Sequence, residues 1–412
     1  MATPTLISWN LTRRCNLACG HCYLDAVQRK SECADELNAT EAARVVHEIA
    51  ALAPGAMVVL TGGEPLLRAD LPAIVERAAR AGLMPVVGSN GVLLDARQAE
   101  RLRDAGAVGV GISLDSAGPD FHDRLRGQTG AWQGALAGMG AARAAGLGVL
   151  MQTTLFEENR HELDALARLA GEIGAMALNF FFLVCTGRGV TQTDLSATTY
   201  ARVLGEILAL QDAHLQLMLR ARCAPYARRM LGLHAGEGAG NFAAWSSACL
   251  AGRSYLRIGP QGDVTPCPYI PRPSGNVRAA ALRAIWDDGD DFVRLRGQMP
   301  QGKCGRCDYR VSCGGCRARA LATTGELLGE DAKCDYAPAV NAVPEPLPSP
   351  VAAGVAWDGA ARQMLARLPG FVRERVRASL EQKALAAGVQ TITLAFMHAH
   401  RPASLPFARP PR

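Results

Sequence analysis

No uninterrupted apolar stretch in this sequence of 412 residues reaches the length of a bilayer span. The opening Met1-Ala2-Thr3-Pro4 has no basic region followed by an apolar run, so a secretory signal is not expected. No basic block stands out. The 44 Lys and Arg against 38 Asp and Glu leave a net charge of +6, too mild for a nucleic-acid footprint but suited to an anionic substrate. A complete disulfide framework is excluded by arithmetic, since 13 cysteines cannot all pair. Together these absences predict a cytoplasmic chain without a membrane span. In that reducing compartment, clustered cysteines favour metal or cluster ligation. Hydrophobic residues make up 49%, enough for one large domain with one or two smaller modules.

From residue 5 to about 220, short apolar runs alternate with amphipathic ones, the pattern of repeated βα units around a parallel sheet. Strands are expected at 5–11, 56–61, 84–89, 107–114, 147–155 and 177–184, and helices at 40–53, 70–82, 95–105, 131–145, 160–173 and 196–220. Thr40 before Glu41, and Asp70 before Leu71, read as helix starts.

Just after the first strand, Cys15, Cys19 and Cys22 stand at C-x3-C-x2-C spacing in one short loop. Three thiolates this close can converge on one metal centre, and on a [4Fe–4S] cluster they leave one iron open. A zinc site needs a fourth ligand, and His21, lying between two of the thiols, is poorly placed to supply it. Three unligated thiols are the blander alternative. Other polar residues fall at strand ends. Gly62-Gly63-Glu64-Pro65 follows the second strand, where Glu64 could pair with an ammonium, although such a tetrapeptide is also an ordinary turn. Ser89-Asn90-Gly91 and Ser113-Leu114-Asp115 follow the third and fourth strands and could equally be helix N-caps. Thr153 and Thr154 end the fifth. Arg188, between two glycines after Phe180-Phe181-Phe182, could hold a substrate carboxylate or be a solvated loop residue. Cys33, Cys185 and Cys223 read as ordinary thiols.

Residues 249–334 hold seven more cysteines. Cys249 and Cys267 flank a hairpin-like stretch around Gly262. Cys304-x2-Cys307 and Cys313-x2-Cys316 follow, then Cys334. Two C-x2-C pairs suit zinc as well as iron, but the short gap between them and the flanking cysteines favour iron–sulfur in a chain that already carries a cluster loop.

The Cys15–Cys22 loop resembles the signature of radical S-adenosylmethionine (SAM) enzymes. The resemblance implies that Cys15, Cys19 and Cys22 hold a [4Fe–4S] cluster whose open iron chelates SAM. One electron then yields a 5′-deoxyadenosyl radical that abstracts a hydrogen atom. It implies an α/β fold, a partial (β/α)6 barrel with its chemistry at the C-terminal strand ends. It also implies a SAM-binding role for Gly62, Gly63, Glu64 and Pro65, with Ser89, Asn90, Ser113, Asp115 and, more weakly, Thr153 as further contacts. An electron donor such as flavodoxin or ferredoxin is the implied partner.

Residues 249–336 resemble the SPASM extension, in which Cys304, Cys307, Cys313 and Cys334 would hold one auxiliary [4Fe–4S] cluster. Cys249, Cys267 and Cys316 would serve a second, whose fourth cysteine is missing, and the Cys313–Cys316 gap is one residue short of the usual pattern. The resulting organisation is a barrel at 1–220, the extension at 221–337, a proline-rich linker at 338–350, a small mainly helical C-terminal domain at 351–400 and a tail at 401–412.

That last domain, with Trp357, Leu368-Pro369-Gly370-Phe371-Val372-Arg373 and Gly388-Val389-Gln390-Thr391-Ile392-Thr393, resembles the C-terminal domain of the B subunit of light-independent protochlorophyllide reductase. Phe181 to Gly189, Cys267-Pro268-Tyr269-Ile270-Pro271 and Cys313 to Ala320 resemble the haem-biosynthesis (NirJ-like and alternative haem pathway) branch of radical SAM enzymes. The implied substrate is a tetrapyrrole whose propionate or acetate arm is decarboxylated or removed. Two alternatives stand beside it. One is a peptide-modifying radical SAM/SPASM maturase, for which the 14 residues before Cys15 leave no leader-recognition domain. The other is a non-catalytic tetrapyrrole or cluster carrier.

Overall fold

The structure, a computed structural model, describes residues 3–28, 34–214, 217–227, 229, 249–344, 355–366, 376–377, 380–381, 383–385 and 387–400. Cys33 and the stretch 368–373 lie outside them. Met1–Glu345 and Pro346–Arg412 are separate compact units.

In the larger unit, βα steps follow one another. They are β1 (Leu6–Asn10) and α1 (Ala39–Leu52), β2 (Met57–Thr61) and α2 (Leu71–Arg80), then β3 (Met84–Ser89) and α3 (Ala96–Asp104). β4 (Gly109–Ser113) is followed by two helices, α4 (Pro119–Arg126) and α5 (Ala131–Ala144). β5 (Gly148–Leu155) with α6 (Leu163–Ile173) and β6 (Ala177–Phe182) with α7 (Ala197–Ala213) complete the six. β1 to β6 pair in parallel in chain order, and β7 (Met218–Arg222) adds to β6. On the other side β8 (Tyr255–Ile258) pairs in parallel with β1, and β9 (Asp263–Thr265) and β10 (Gly275–Asn276) continue antiparallel. The sheet is thus an open partial barrel, and the cysteine-rich region enters it through β8. Among the described residues, four further short helices follow in this unit: α8 (Leu282–Asp288), α9 (Asp290–Gly297), α10 (Gly302–Arg306) and α11 (Arg317–Thr324).

Alternation along the strands separates two faces. Ile7 and Trp9, Val58 and Leu60, Val110 and Ile112, Val149, Met151 and Leu155, and Leu178, Phe180 and Phe182 pack into one core with the helices. The opposite register faces the barrel interior and carries Asn10, Ser113, Gln152 and Asn179.

Local chemistry sets the helix ends. α1 begins one residue before the expected Thr40, because Asn38 and Glu41 form a reciprocal capping box: Glu41 N donates to Asn38 Oδ1 at 3.0 Å and Asn38 N to Glu41 Oε2 at 2.9 Å. Asp70 precedes α2 but caps nothing; it takes Arg68 Nε at 2.6 Å instead. The expected helix over 196–220 stops at Ala213. There Gln211 turns its side chain onto the chain ahead, donating to the Leu217 carbonyl at 2.9 Å and accepting from Leu219 N at 2.9 Å, and β7 begins. α4 was not expected. Pro119 starts it and Gly127, with φ of 69°, ends it.

The smaller unit contains β11 (Ala356–Trp357), α12 (Gly359–Ala366), β12 (Thr391–Ile392) and α13 (Leu394–Ala399). β11 and β12 pair in parallel, and Trp357 Nε1 donates to the buried Glu381 carboxylate at 2.9 Å. A small ribbon therefore accompanies the expected helices.

Ile112, fully buried in the main core, sets the fold's sensitivity to cavities. Ile112→Ala is expected to cost about 2–5 kcal/mol in urea denaturation, whereas Val190→Ala, at an exposed site, is expected to cost less than about 0.5 kcal/mol.

Candidate active site and iron–sulfur centres

The cysteine loop leaves the C-terminal end of β1 and is docked on three sides. Gly63 N donates to the Thr12 carbonyl at 2.7 Å and Glu64 N to the Arg14 carbonyl at 2.8 Å. A Cβ on Gly62 would sit 2.5 Å from Thr12 O, and one on Gly63 would overlap the Arg14 carbonyl. The glycines therefore let two backbones meet, and the partner they admit is the cysteine loop itself. On α4, the carbonyls of Arg126 and Leu125 accept from the loop's Ala18 N and Gly20 N at 3.3 and 2.9 Å.

Arg188 is the third anchor. Its Nε donates to the Cys19 carbonyl at 2.9 Å and its Nη1 to the Ala26 carbonyl at 3.0 Å. This corrects the expected carboxylate-binding role: the planar fork of Arg188 is committed to the loop backbone.

Each loop thiol has a donor aimed at it. Leu17 N points at Cys15 Sγ and Ala26 N at Cys22 Sγ, both at 3.4 Å, and Arg126 Nη1 lies 3.7 Å from Cys19 Sγ. Such bonds suit sulfur carrying negative charge on iron. Burial pushes the free Cys15 thiol up to about 12, so ligation there would displace a proton.

Glu64 lies beside this loop with no solvent exposure. Its carboxylate accepts from Ser89 Oγ at 2.9 Å, Asn90 N at 2.9 Å and Leu66 N at 3.1 Å. Among the described residues no cation pairs with it. Burial raises its pKa to about 7, against the pull of those hydrogen bonds. A buried carboxylate with neutral donors and no counter-ion fits the ammonium of a bound amino acid. Ser89 and Asn90 are thus brought to Glu64, and Asn90 Nδ2 also reaches Asn16 Oδ1 at 2.8 Å. Pro65 opens the short 3-10 turn that Glu64 caps.

The remaining strand-tip residues divide. Ser113 is half-buried on the interior face. Thr153 shares the register of Met151 and Leu155, is fully buried, and donates to the Leu114 carbonyl at 2.6 Å. It faces the helix layer, which corrects its expected cofactor contact. Asp115 is also fully buried, and protein groups take both its oxygens: Arg126 Nε at 2.8 Å on Oδ2 and Thr154 N at 3.0 Å on Oδ1. Burial pushes its pKa up, but Arg126, His21 and His122 outweigh this and hold it low. Asp115 therefore positions Arg126 against Cys19. Arg126 was missed because it lies on the unexpected α4, 11 residues from Asp115, with no sequence signal joining them.

Cys304, Cys307, Cys313 and Cys334 line a single cavity with Tyr309 and Tyr336. Backbone amides point at three of these sulfurs: Tyr309 N at Cys307 Sγ (3.3 Å), Gly315 N at Cys313 Sγ and Asp331 N at Cys304 Sγ (both 3.4 Å). Burial pushes the Cys307 thiol up to about 12 and raises Cys313 and Cys334 as well. Cys249, Cys267 and Cys316 gather apart from this set, on a satellite core with Ile270 and Leu295. Among the described residues no three His, Cys, Asp or Glu side chains converge on a single metal ion. All described cysteines are free thiols.

A parallel partial barrel with a three-cysteine loop and a buried carboxylate at its strand ends defines a cluster-and-SAM class of enzyme. Comparison with known proteins agrees. The radical SAM superfamily matches residues 9–170, the SPASM iron–sulfur cluster-binding domain 249–316, and the proto-chlorophyllide reductase 57 kD subunit 357–401. The AdoMet-dependent heme synthase of Methanosarcina barkeri is 37% identical over 81% of this chain and 97% of its own length. The pre-heme d1 synthase of Dinoroseobacter shibae is 32% identical over 80% of this chain and 85% of its own. Streptococcus suis SuiB bound to S-adenosylmethionine shares the fold at a TM-score of 0.65 and 15% identity, over 81% of this chain and 78% of its own. The chain belongs to the radical SAM/SPASM enzymes, in their haem-biosynthesis branch.

Two predictions follow from this geometry. Above about pH 7 Glu64 is charged and attracts an ammonium; as pH falls through its pKa of about 7 it gains a proton and loses that attraction. SAM affinity of the reconstituted protein, measured by calorimetry, is expected to fall from about pH 8 to about pH 6, and Glu64→Gln to weaken binding and flatten the profile. Arg188→Ala is expected to speed iron loss to a chelator. Arg188→Lys should not restore retention, because one ammonium cannot span both carbonyls.

Proposed function

We propose that this chain modifies a tetrapyrrole side chain, by decarboxylation or removal of a propionate or acetate arm, in the manufacture of a haem or haem d1-type cofactor. The observation that carries this reading is the 37% identity to an AdoMet-dependent heme synthase across 97% of that protein. When bound, SAM and its cluster supply the radical that takes a hydrogen atom, and an auxiliary cluster takes up the electron left after carbon–carbon cleavage.

The protein's own residues provide orientation and charge. Cys15, Cys19 and Cys22 would hold the first cluster. Glu64, with Ser89 and Asn90 behind it, would fix the SAM amine, and Gly62 and Gly63 set the close seam beneath. Cys304, Cys307, Cys313 and Cys334 would hold the auxiliary cluster. Ser113, on the interior face, remains a proposed SAM contact. Arg220 and Arg222 alternate with the buried Leu219, and Arg257 with Leu256 and Ile258, which sets all three arginines on the interior face. Basic groups there suit a substrate bearing several carboxylates.

No described helix is long and apolar enough to cross a membrane. With every described cysteine free, a reducing cytoplasm and a flavodoxin- or ferredoxin-type donor complete the proposal.

Anaerobically reconstituted enzyme, reduced in the presence of SAM and candidate tetrapyrroles, tests it by mass spectrometry. The expected products are 5′-deoxyadenosine and a tetrapyrrole lacking CO2 or a larger fragment of one arm. Deoxyadenosine with every tetrapyrrole unchanged would overturn the substrate. No deoxyadenosine from cluster-loaded protein would overturn the reaction.

A further inference from the structure

The second auxiliary site lacks a fourth cysteine within the cysteine-rich segment, but the fold brings one from the barrel. β7 ends at Arg222, and Cys223 follows with φ of 59°. Among the described non-glycine residues only Asp25 and Asn341 share a positive φ, and those types tolerate it as cysteine does not. The turn is held from outside. Arg319, buried on α11, donates through Nη2 to the Cys223 carbonyl at 2.9 Å and through Nη1 to Asp331 at 3.1 Å, while Asp331 accepts from Cys316 N at 2.8 Å. One buried ion pair thus ties the backbone of Cys223 to that of Cys316.

The side chain of Cys223 packs against the same satellite core as Cys249, Cys267 and Cys316. The remaining cysteines of the region, Cys304, Cys307, Cys313 and Cys334, line a cavity of their own. The thiols therefore sort into two sets of four. Cys185, the other unassigned described thiol, packs elsewhere, beside Phe121 and Phe156.

We infer that Cys223 is the fourth ligand of a second auxiliary iron–sulfur cluster, completing Cys249, Cys267 and Cys316, so that this cluster bridges the end of barrel strand β7 to the cysteine-rich extension. Four thiolates leave no iron open for substrate, which assigns this cluster to electron transfer. Ligation replaces each thiol proton by an iron–sulfur bond: two ferrous and two ferric ions, four sulfides and four thiols give the [4Fe–4S]2+ cluster with its four thiolates and four released thiol protons.

The inference is independent of which substrate the enzyme takes. It is tested on wild type, Cys223→Ala, Cys267→Ala and Cys185→Ala, reconstituted with iron and sulfide. Wild type is expected to bind ~12 irons per chain, four to each [4Fe–4S] cluster. Cys223→Ala and Cys267→Ala should each lose up to about four, or show a [3Fe–4S] electron paramagnetic resonance signal, and Cys185→Ala should match wild type. Wild type saturating at ~8 irons, or Cys223→Ala keeping its full complement while Cys267→Ala does not, would overturn it.

Thiol footprinting of the unmutated chain covers the case in which a variant fails to fold. Cys223 should resist alkylation in loaded protein and react after iron is stripped, with Cys185 unchanged. Equal reactivity of Cys223 in both states would overturn the inference.

Discussion

Two backbone hydrogen bonds, from Gly63 N to Thr12 O and from Glu64 N to Arg14 O, join the cysteine loop to the turn after β2. Everything proposed for the site depends on that seam. It fixes the loop bearing three thiols beside Glu64, a fully buried carboxylate that no cation among the described residues pairs with. It also fixes the relative position of the groups proposed to bind iron and the SAM amine, backbone against backbone. The glycines are required for a steric reason, since even a methyl group on Gly63 would overlap the Arg14 carbonyl. Side chains then reinforce the seam from outside: Arg188 on two loop carbonyls, and Arg126, oriented by Asp115, on Cys19.

Charge follows the same logic at all the cysteine sites. Thiols held in low-dielectric surroundings resist ionisation, as the elevated pKa values of Cys15, Cys307 and Cys313 show. Backbone amides directed at the sulfurs act in the opposite sense and stabilise the thiolate once iron replaces the proton. The folded chain therefore favours the ligated state over the free anion. Glu64 is the mirror case, a carboxylate whose burial is offset only in part by neutral donors and which a ligand cation would complete.

Much of this was legible in the sequence. The alternation of apolar runs located β1 to β6 and, apart from α4 and the end of α7, their helices to within a few residues, because a two-sided parallel sheet leaves a strong periodic signal. Cysteine spacing and the Gly62–Pro65 turn pointed to the candidate site for a comparable reason, since each is a local motif, and the fold sets the two side by side. What failed was non-local. The Gln211 bonds that end α7, the Asp115–Arg126 pair and the approach of Cys223 to Cys249 join residues that only the fold brings together. Thr153 and Arg188 were misread because a polar residue at a strand end can face either layer, and a loop arginine can serve the backbone as readily as a ligand.

The most direct test of the central claim is a crystal structure of the iron-loaded protein with SAM, read at the methionine ammonium. The account predicts that nitrogen within hydrogen-bond distance of the Glu64 carboxylate, with the loop still bonded to Gly63 and Glu64. An ammonium bound elsewhere, with Glu64 engaged only by Ser89, Asn90 and Leu66, would contradict it.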